Sequence, residues 1–315
     1  MTLKMTNQEN DQQPLVSVCM ITYNHEKFIS EAIEGVLMQE TTFPIELVIG
    51  EDCSTDNTAK IIEGYAGKYP NLIRARCNKS NMGMTPNIIQ TLKECSGKYI
   101  ALCEGDDYWT DPNKLQKQVD FLECNKDYAI CFHNSKVLKN GEIVDNYLKN
   151  IVNDTTTILD LARENYIYTA SCLTRNYFSN GLPEFYQSCP AGDYLLWMLS
   201  AQNGKIKYID EVMSVYRVHE GGIWSTKTTI EKIEASALVQ KILMENFDGE
   251  VKNILAENYI ILLNKLLKKY KNEYNKSIRI SNGIKNPYFI RENTSLKVII
   301  KALIAKIQFD VLKLK

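Results

Sequence analysis

Three acids within four residues, Glu104, Asp106 and Asp107 of CEGDDYW, follow directly on the apolar run KYIALC, where a buried strand would reach the surface. Like charges held that close raise one another's pKa unless a cation or a basic side chain compensates them. A solvated acidic turn is the plain reading. The chemical reading is a hard divalent cation, since Mg2+ and Mn2+ take oxygen ligands, often one or two carboxylates, and complete their shell with water and substrate phosphates. A cation bridging a diphosphate would also stabilise charge growing on a nucleotide leaving group.

Other polar residues close other apolar runs. Thr22-Tyr23-Asn24 ends LVSVCMIT, where an aromatic ring can either pack or stack on a base. Asp52 follows IELVIGE, and a carboxylate there can accept the imide N–H of uracil or the ribose hydroxyls, whereas Ser54, Thr55 and Asp56 read as helix caps. In MSVYRVHEGGIWS, Arg217 and His219 share a face if the strand alternates through them. Both can then reach one diphosphate, Arg217 as a fork and His219 as ligand or donor. Asp193 in CPAGDYLLW opens a helix, either as a cap or as a general base that takes the proton from a sugar hydroxyl.

The elements that must position these residues follow from hydrophobic periodicity. The strand-like runs LVSVCMIT (15–22), IELVIG (45–50), LIRARC and KYIALC alternate with the helical patterns KFISEAIEGVLMQ (27–39), TAKIIEGYAGKY (58–69) and PNIIQTLKECSG. Such βαβ units predict an α/β fold with a mostly parallel, Rossmann-like sheet between helices, and ligands beyond the carboxyl ends of its strands. From residue 113 to 227 the pattern is α+β, with a hairpin across Lys139-Asn140-Gly141-Glu142 and a helix at DYLLWMLSAQNG, fused to the same sheet and suited to acceptor recognition. The expected organisation is a flexible N-terminus (1–13), a catalytic domain (14–227, its nucleotide-binding half 14–112 and acceptor half 113–227) and a helical, Lys-rich C-terminal extension (228–315). Within the extension, KKYKNEYNKSIRISNGIKN reads as a weakly structured joint. SLKVIIKALIAKIQFDVLKLK reads as an amphipathic helix for packing on its own domain or on another copy, or for lying on an anionic membrane.

Composition narrows the classes. With 37 basic and 38 acidic residues among 315, no global field favours nucleic acid. Nine cysteines without a CxxC pair point to reduced thiols, not to a disulfide framework or a zinc site. The start MTLKMTNQENDQQP lacks the apolar stretch of a signal peptide, and no apolar run reaches the ~18 residues that span a bilayer. The expectation is a cytoplasmic protein, with peripheral contact at the inner face of the membrane left open by the last helix.

The succession VSVCMITYNHEKFISEAIEGVLMQ, ELVIGEDCSTDNT, YIALCEGDDYW, AGDYLLW and YRVHEGGIWS resembles the family 2 glycosyltransferases, which have the GT-A fold, over roughly residues 14–226. The resemblance implies an inverting transfer of a sugar from a nucleotide donor, UDP-linked by expectation, to a saccharide or lipid-linked saccharide. By it, Thr22, Tyr23, Asn24, Glu26, Asp52, Asn81, Glu104, Gly105 and Arg217 would bind the nucleotide. Asp106, matching the last acid of the family's DxD motif, would hold Mn2+ or Mg2+ with Asp107 and His219, and Asp193 would be the base. Two positions depart from the pattern: the first DxD acid is Glu104, and Gly192 stands where family members often carry Glu before the base. The rival readings are a sugar nucleotidyltransferase, which should carry a Gly/Arg/Lys-rich phosphate loop where TYNHEKF stands, and a non-catalytic module that binds nucleotide sugar or tethers partners.

Overall fold

The computed structural model describes residues 13–146, 148 and 153–281. Most of the expected flexible N-terminus (1–12) and the amphipathic segment 295–315 lie outside the described residues. The chain divides into two units, one of Met1–Thr156, Tyr166–Glu184 and Leu199–Val218, the other of Thr157–Asn165, Phe185–Met198 and His219–Lys315.

The first unit runs through β1 (Val16–Thr22), α1 (Ile29–Leu37), β2 (Ile45–Glu51), α2 (Thr58–Lys68), β3 (Ile73–Cys77), α3 (Met84–Glu94), β4 (Tyr99–Leu102), β5 (Tyr108–Trp109), α4 (Lys114–Cys124), β6 (Tyr128–Lys139), β7 (Glu142–Asn146) and β8 (Thr155–Thr156). There follow α5 (Ile158–Arg163) in the second unit, β9 (Leu173–Arg175), α6 (Gly192–Ala201), which begins in the second unit, and β10 (Lys205–Val218). The second unit ends with α7 (Thr229–Asn246) and α8 (Gly249–Ser281).

One sheet has the order β3-β2-β1-β4-β9-β6-β10-β5, with β7 added to β6 and β8 to β10. Its first four strands are parallel, as the βαβ pattern requires. The second half makes the sheet mixed, because β9 joins β4 and β6 antiparallel while β10 runs parallel to β6. Val16, Val18 and Met20 of β1 are buried, as are Ile29, Ala32, Ile33 and Val36, the i, i+3, i+4, i+7 face of α1. Gly35 on that helix meets the chain of β5, where a Cβ would stand 2.9 Å from Trp109 N. The expected hairpin joins β6 to β7 through Asn140 (φ 53°) and Gly141 (φ 82°), the left-handed pair that suits a two-residue turn.

In the second unit a reciprocal capping box starts α7: Glu231 N–H donates to Thr228 Oγ1 (3.3 Å) and Thr228 N–H to Glu231 Oε2 (2.7 Å). Ala237 of α7 packs with Tyr259 and Leu263 of α8, and Tyr270 donates to Glu234 Oε1. The stretch read as a weakly structured joint is helical as far as Ser281. Beyond Gly249 at its start, α8 contains neither Gly nor Pro, and its many Lys, Leu, Glu and Ile residues carry little penalty in a helix.

Candidate active site

The site is built where β1, β2 and β4 end side by side. After β4 the chain turns through Glu104–Asp107, and Gly105 N–H donates to Ile21 O (3.0 Å). A Cβ on Gly105 would lie 2.5 Å from Thr22 Oγ1, so only glycine lets the acidic turn seat against β1. Glu104 and Asp106 are half-buried and Asp107 is buried, and their ligand atoms lie within 4.8 Å of one another. An all-carboxylate oxygen set of that size fits a hard divalent cation such as Mg2+ or Mn2+.

Asp107 has a second occupation. Its Oδ1 accepts the backbone N–H of Arg217 (2.8 Å) and its Oδ2 accepts the hydroxyl of the buried Tyr168. Burial, with the Asp106 carboxylate beside it, pushes Asp107 well above the usual carboxylate range, and burial likewise raises Tyr168. Asp107 thus ties the turn to the end of β10.

The Arg217 side chain ties the same turn from its other side. It donates from Nη1 to Asp106 O (2.7 Å), pairs with Glu31, and lies 4.5 Å from the Phe28 ring centre and 5.0 Å from that of Tyr108. Aromatic faces on a guanidinium fix its plane. The fork expected to reach a diphosphate is therefore also a clamp on the turn. Because β10 ends at Val218, strand alternation does not extend to His219.

The first two loops are stitched together by the residues expected to line the nucleotide pocket. Asn24, with φ 56°, accepts Thr55 N–H at Oδ1 (2.8 Å), and Glu26 Oε2 accepts Asn57 N–H (3.0 Å) at the start of α2. Glu51 folds back onto the turn after β2, accepting Cys53 N–H (3.1 Å) and Ser54 N–H (2.7 Å). Tyr23 stands 41% exposed beside this stitched pair of loops.

Asp52 is buried and anchors the loop before α3. Oδ1 accepts from Asn78 Nδ2 (2.8 Å) and Met82 N–H (2.9 Å), and Oδ2 from Gly83 N–H (2.8 Å). Asn81 donates to Asp52 O (3.1 Å).

Thr22, Glu104, Gly105, Asp106, Asp107 and Arg217 are thus gathered in the first unit, whereas Asp193 and His219 belong to the second. There Asp193 is half-buried in the first turn of α6. The neighbouring Gly192 has a physical reason: a Cβ would come within 2.4 Å of the Tyr186 hydroxyl, so the buried Tyr186 occupies the space a preceding Glu would need. His219 takes Gly221 N–H on Nδ1 (3.2 Å), turning the chain into the Gly-Gly segment.

His25, Glu31, Phe28, Tyr108 and Tyr168 were not singled out by the sequence. His25 Nε2 lies 3.7 Å from Asp106 Oδ2 and Nδ1 lies 3.1 Å from Thr22 Oγ1. Its place in TYNHE, between Asn24 and Glu26, was a signal open to use. Tyr168 is 61 residues from Asp107, and nothing local marks it.

Residues 17–180 match the family described as Glycosyl transferase family 2. An uncharacterized protein of Mycobacterium tuberculosis is 39% identical over 220 residues, which cover 68% of this chain and 62% of that protein's length. The UDP-Glc:alpha-D-GlcNAc-diphosphoundecaprenol beta-1,3-glucosyltransferase WfgD of Escherichia coli is 30% identical over 217 residues, 68% of this chain and 81% of that one. S. aureus TarS 1-349 in complex with UDP-GlcNAc has a similar fold, with a TM-score of 0.59 at 21% identity over 80% of each chain. The fold is thus GT-A, and the chain belongs to the family 2 glycosyltransferases.

Proposed function

We propose that this chain is an inverting, metal-dependent glycosyltransferase that moves a sugar from a UDP-linked donor to a saccharide or lipid-linked saccharide in the synthesis of cell-surface polysaccharide. The observation that carries the reading is the acidic turn. Gly105 seats it on β1, and Asp107 and Arg217 clamp it with Asp106 half-exposed at the carboxyl ends of parallel strands. The donor and acceptor classes are supported by the name of the Escherichia coli relative, which specifies UDP-Glc and a diphosphoundecaprenol-linked sugar. A lipid-linked acceptor would bring the enzyme to the inner face of the membrane as a peripheral protein. No helix among the described residues is long and apolar enough to cross one.

In this reading Tyr23 stacks on the base, the Asp52 carboxylate takes a nucleoside N–H or hydroxyl, and Glu104 and Asp106 hold the cation. When bound, a divalent cation there neutralises charge on the departing diphosphate. Asp193 takes the proton from the acceptor hydroxyl as that oxygen attacks the anomeric carbon, which inverts the centre. Positioning supplies much of the rate, and the clamped turn is suited to it because it has little to reorganise.

The test is the melting temperature with UDP, GDP or dTDP, each with and without Mn2+. A ligand at about 100 times its Kd adds about 2.7 kcal/mol, which is a measurable rise. A Mn2+-dependent rise with UDP that Asp106→Asn abolishes is expected; a rise with none of the three, in wild type, sinks the donor-site reading. Asp193→Asn should keep the rise and lose transfer, and normal transfer by that variant would remove Asp193 from the role of base.

A further inference from the structure

His25 is held from several directions at once. Its backbone N–H donates to Thr58 Oγ1 (2.8 Å) and its ring is tilted on Phe28 with centroids 6.3 Å apart. Nδ1 lies 3.1 Å from Thr22 Oγ1, the same hydroxyl that Gly105 approaches. In the tautomer whose Nδ1–H donates to Thr22, Nε2 turns its lone pair toward Asp106. Metal-binding histidines are commonly oriented in this way, through a hydrogen bond from the other ring nitrogen.

The separation of Nε2 from Asp106 Oδ2, 3.7 Å, is too long for a hydrogen bond. Two ligands bound about 2.1 Å from one ion stand roughly 3 to 4 Å apart, and the observed separation falls in that interval.

We propose that His25 Nε2 is a ligand of the divalent cation held by Asp106, so that the donor site binds Mn2+ through a mixed nitrogen and oxygen set and prefers it to Mg2+. The proposal rests on the donor-site reading above. Its selectivity follows from ligand chemistry: imidazole binds later divalent transition ions well, whereas Mg2+ favours oxygen and holds its water.

The experiment is pulsed electron paramagnetic resonance of Mn2+ bound to the full chain with UDP, together with Mn2+ and Mg2+ titrations. Only His25, His133 and His219 can supply an imidazole nitrogen, and His133 is fully buried. Wild type should show 14N coupling that survives in His219→Gln and disappears in His25→Gln. In His25→Gln, Mn2+ affinity should fall by about tenfold or more, with a smaller change for Mg2+. Coupling that persists in His25→Gln, or no 14N coupling in the wild-type Mn2+ complex, overturns the proposal while the donor site stands; the wild-type result does not depend on any variant folding. Wild type that binds no Mn2+, or Asp106→Asn that binds it unchanged, removes the donor-site reading as well.

Discussion

Asp106 and Asp107 are adjacent in sequence and chemically identical, yet their surroundings separate them. Asp107 is buried with both oxygens accepting hydrogen bonds, from Arg217 N–H and the Tyr168 hydroxyl, whereas Asp106 is half-exposed with Nε2 of His25 3.7 Å away. The spacing of the acids marked the turn and the possibility of a cation. It could not say which acid anchors the turn, because the partners that decide it are contributed by β10 and by the segment before β9. The distinction predicts unequal stability effects. Tyr168→Phe leaves one Asp107 oxygen without its donor in a buried setting and should cost about 1–3 kcal/mol in urea unfolding. Asp106→Asn, without metal, should fall within about 0.5 kcal/mol of wild type, as a half-exposed substitution away from the core. Equal costs for the two would mean that the acids share one role.

At the scale of elements, the parallel half of the sheet was legible because β1, β2 and β4 are short and largely apolar, and β1 to β4 are separated by amphipathic helices of ordinary length. The mixed half was less so, since β5, β8 and β9 are two or three residues long and owe their pairing to neighbours far along the chain. Helix α4 illustrates a further limit. By charge, Lys114 and Gln118 belong on its wet face, but both are fully buried. Lys114 Nζ lies 4.1 Å from the Trp109 ring centre and donates to Gln118 Oε1 (2.8 Å), while Gln118 Nε2 donates to Cys131 O and Ser171 O. Burial pushes the lysine down from 10.5 to about 8. Between these values the folded chain binds fewer protons at Lys114 than the unfolded chain does, so its contribution to stability rises with pH across that window and the full penalty applies below it. Unfolding free energies measured from pH 7 to 10 should therefore climb more steeply in wild type than in Lys114→Met. Parallel curves would show that the ammonium is compensated in place.

At the scale of the whole chain, neither unit is one continuous stretch: the second takes Thr157–Asn165 and Phe185–Met198 from the middle of the sequence as well as everything after Val218. Composition marks the change to Lys-rich helices near residue 228, and α7 does begin at Thr229, but it cannot show that earlier residues depend on the C-terminal helices. The dependence is visible in α5. Asn258 on α8 donates to Ala162 O (2.9 Å) and Arg163 O (3.1 Å), satisfying carbonyls at the end of that short helix, and Tyr194 on α6 donates to Leu161 O (3.0 Å). A helix of only six residues cannot hold itself in water, so its order must come from such contacts. A chain ended after Lys227 should therefore lose more helix than α7 and α8 alone contain, and should become protease-sensitive between Thr157 and Asn165. The loss of Asn258 and of the apolar cover over Leu161 and Ala162 should cost about 2–5 kcal/mol locally. Hydrogen exchange and limited proteolysis would read this directly. Protection of residues 157–165 equal to that in the full chain would mean that α5 is secured without α8, and that the C-terminal helices form a separable appendage.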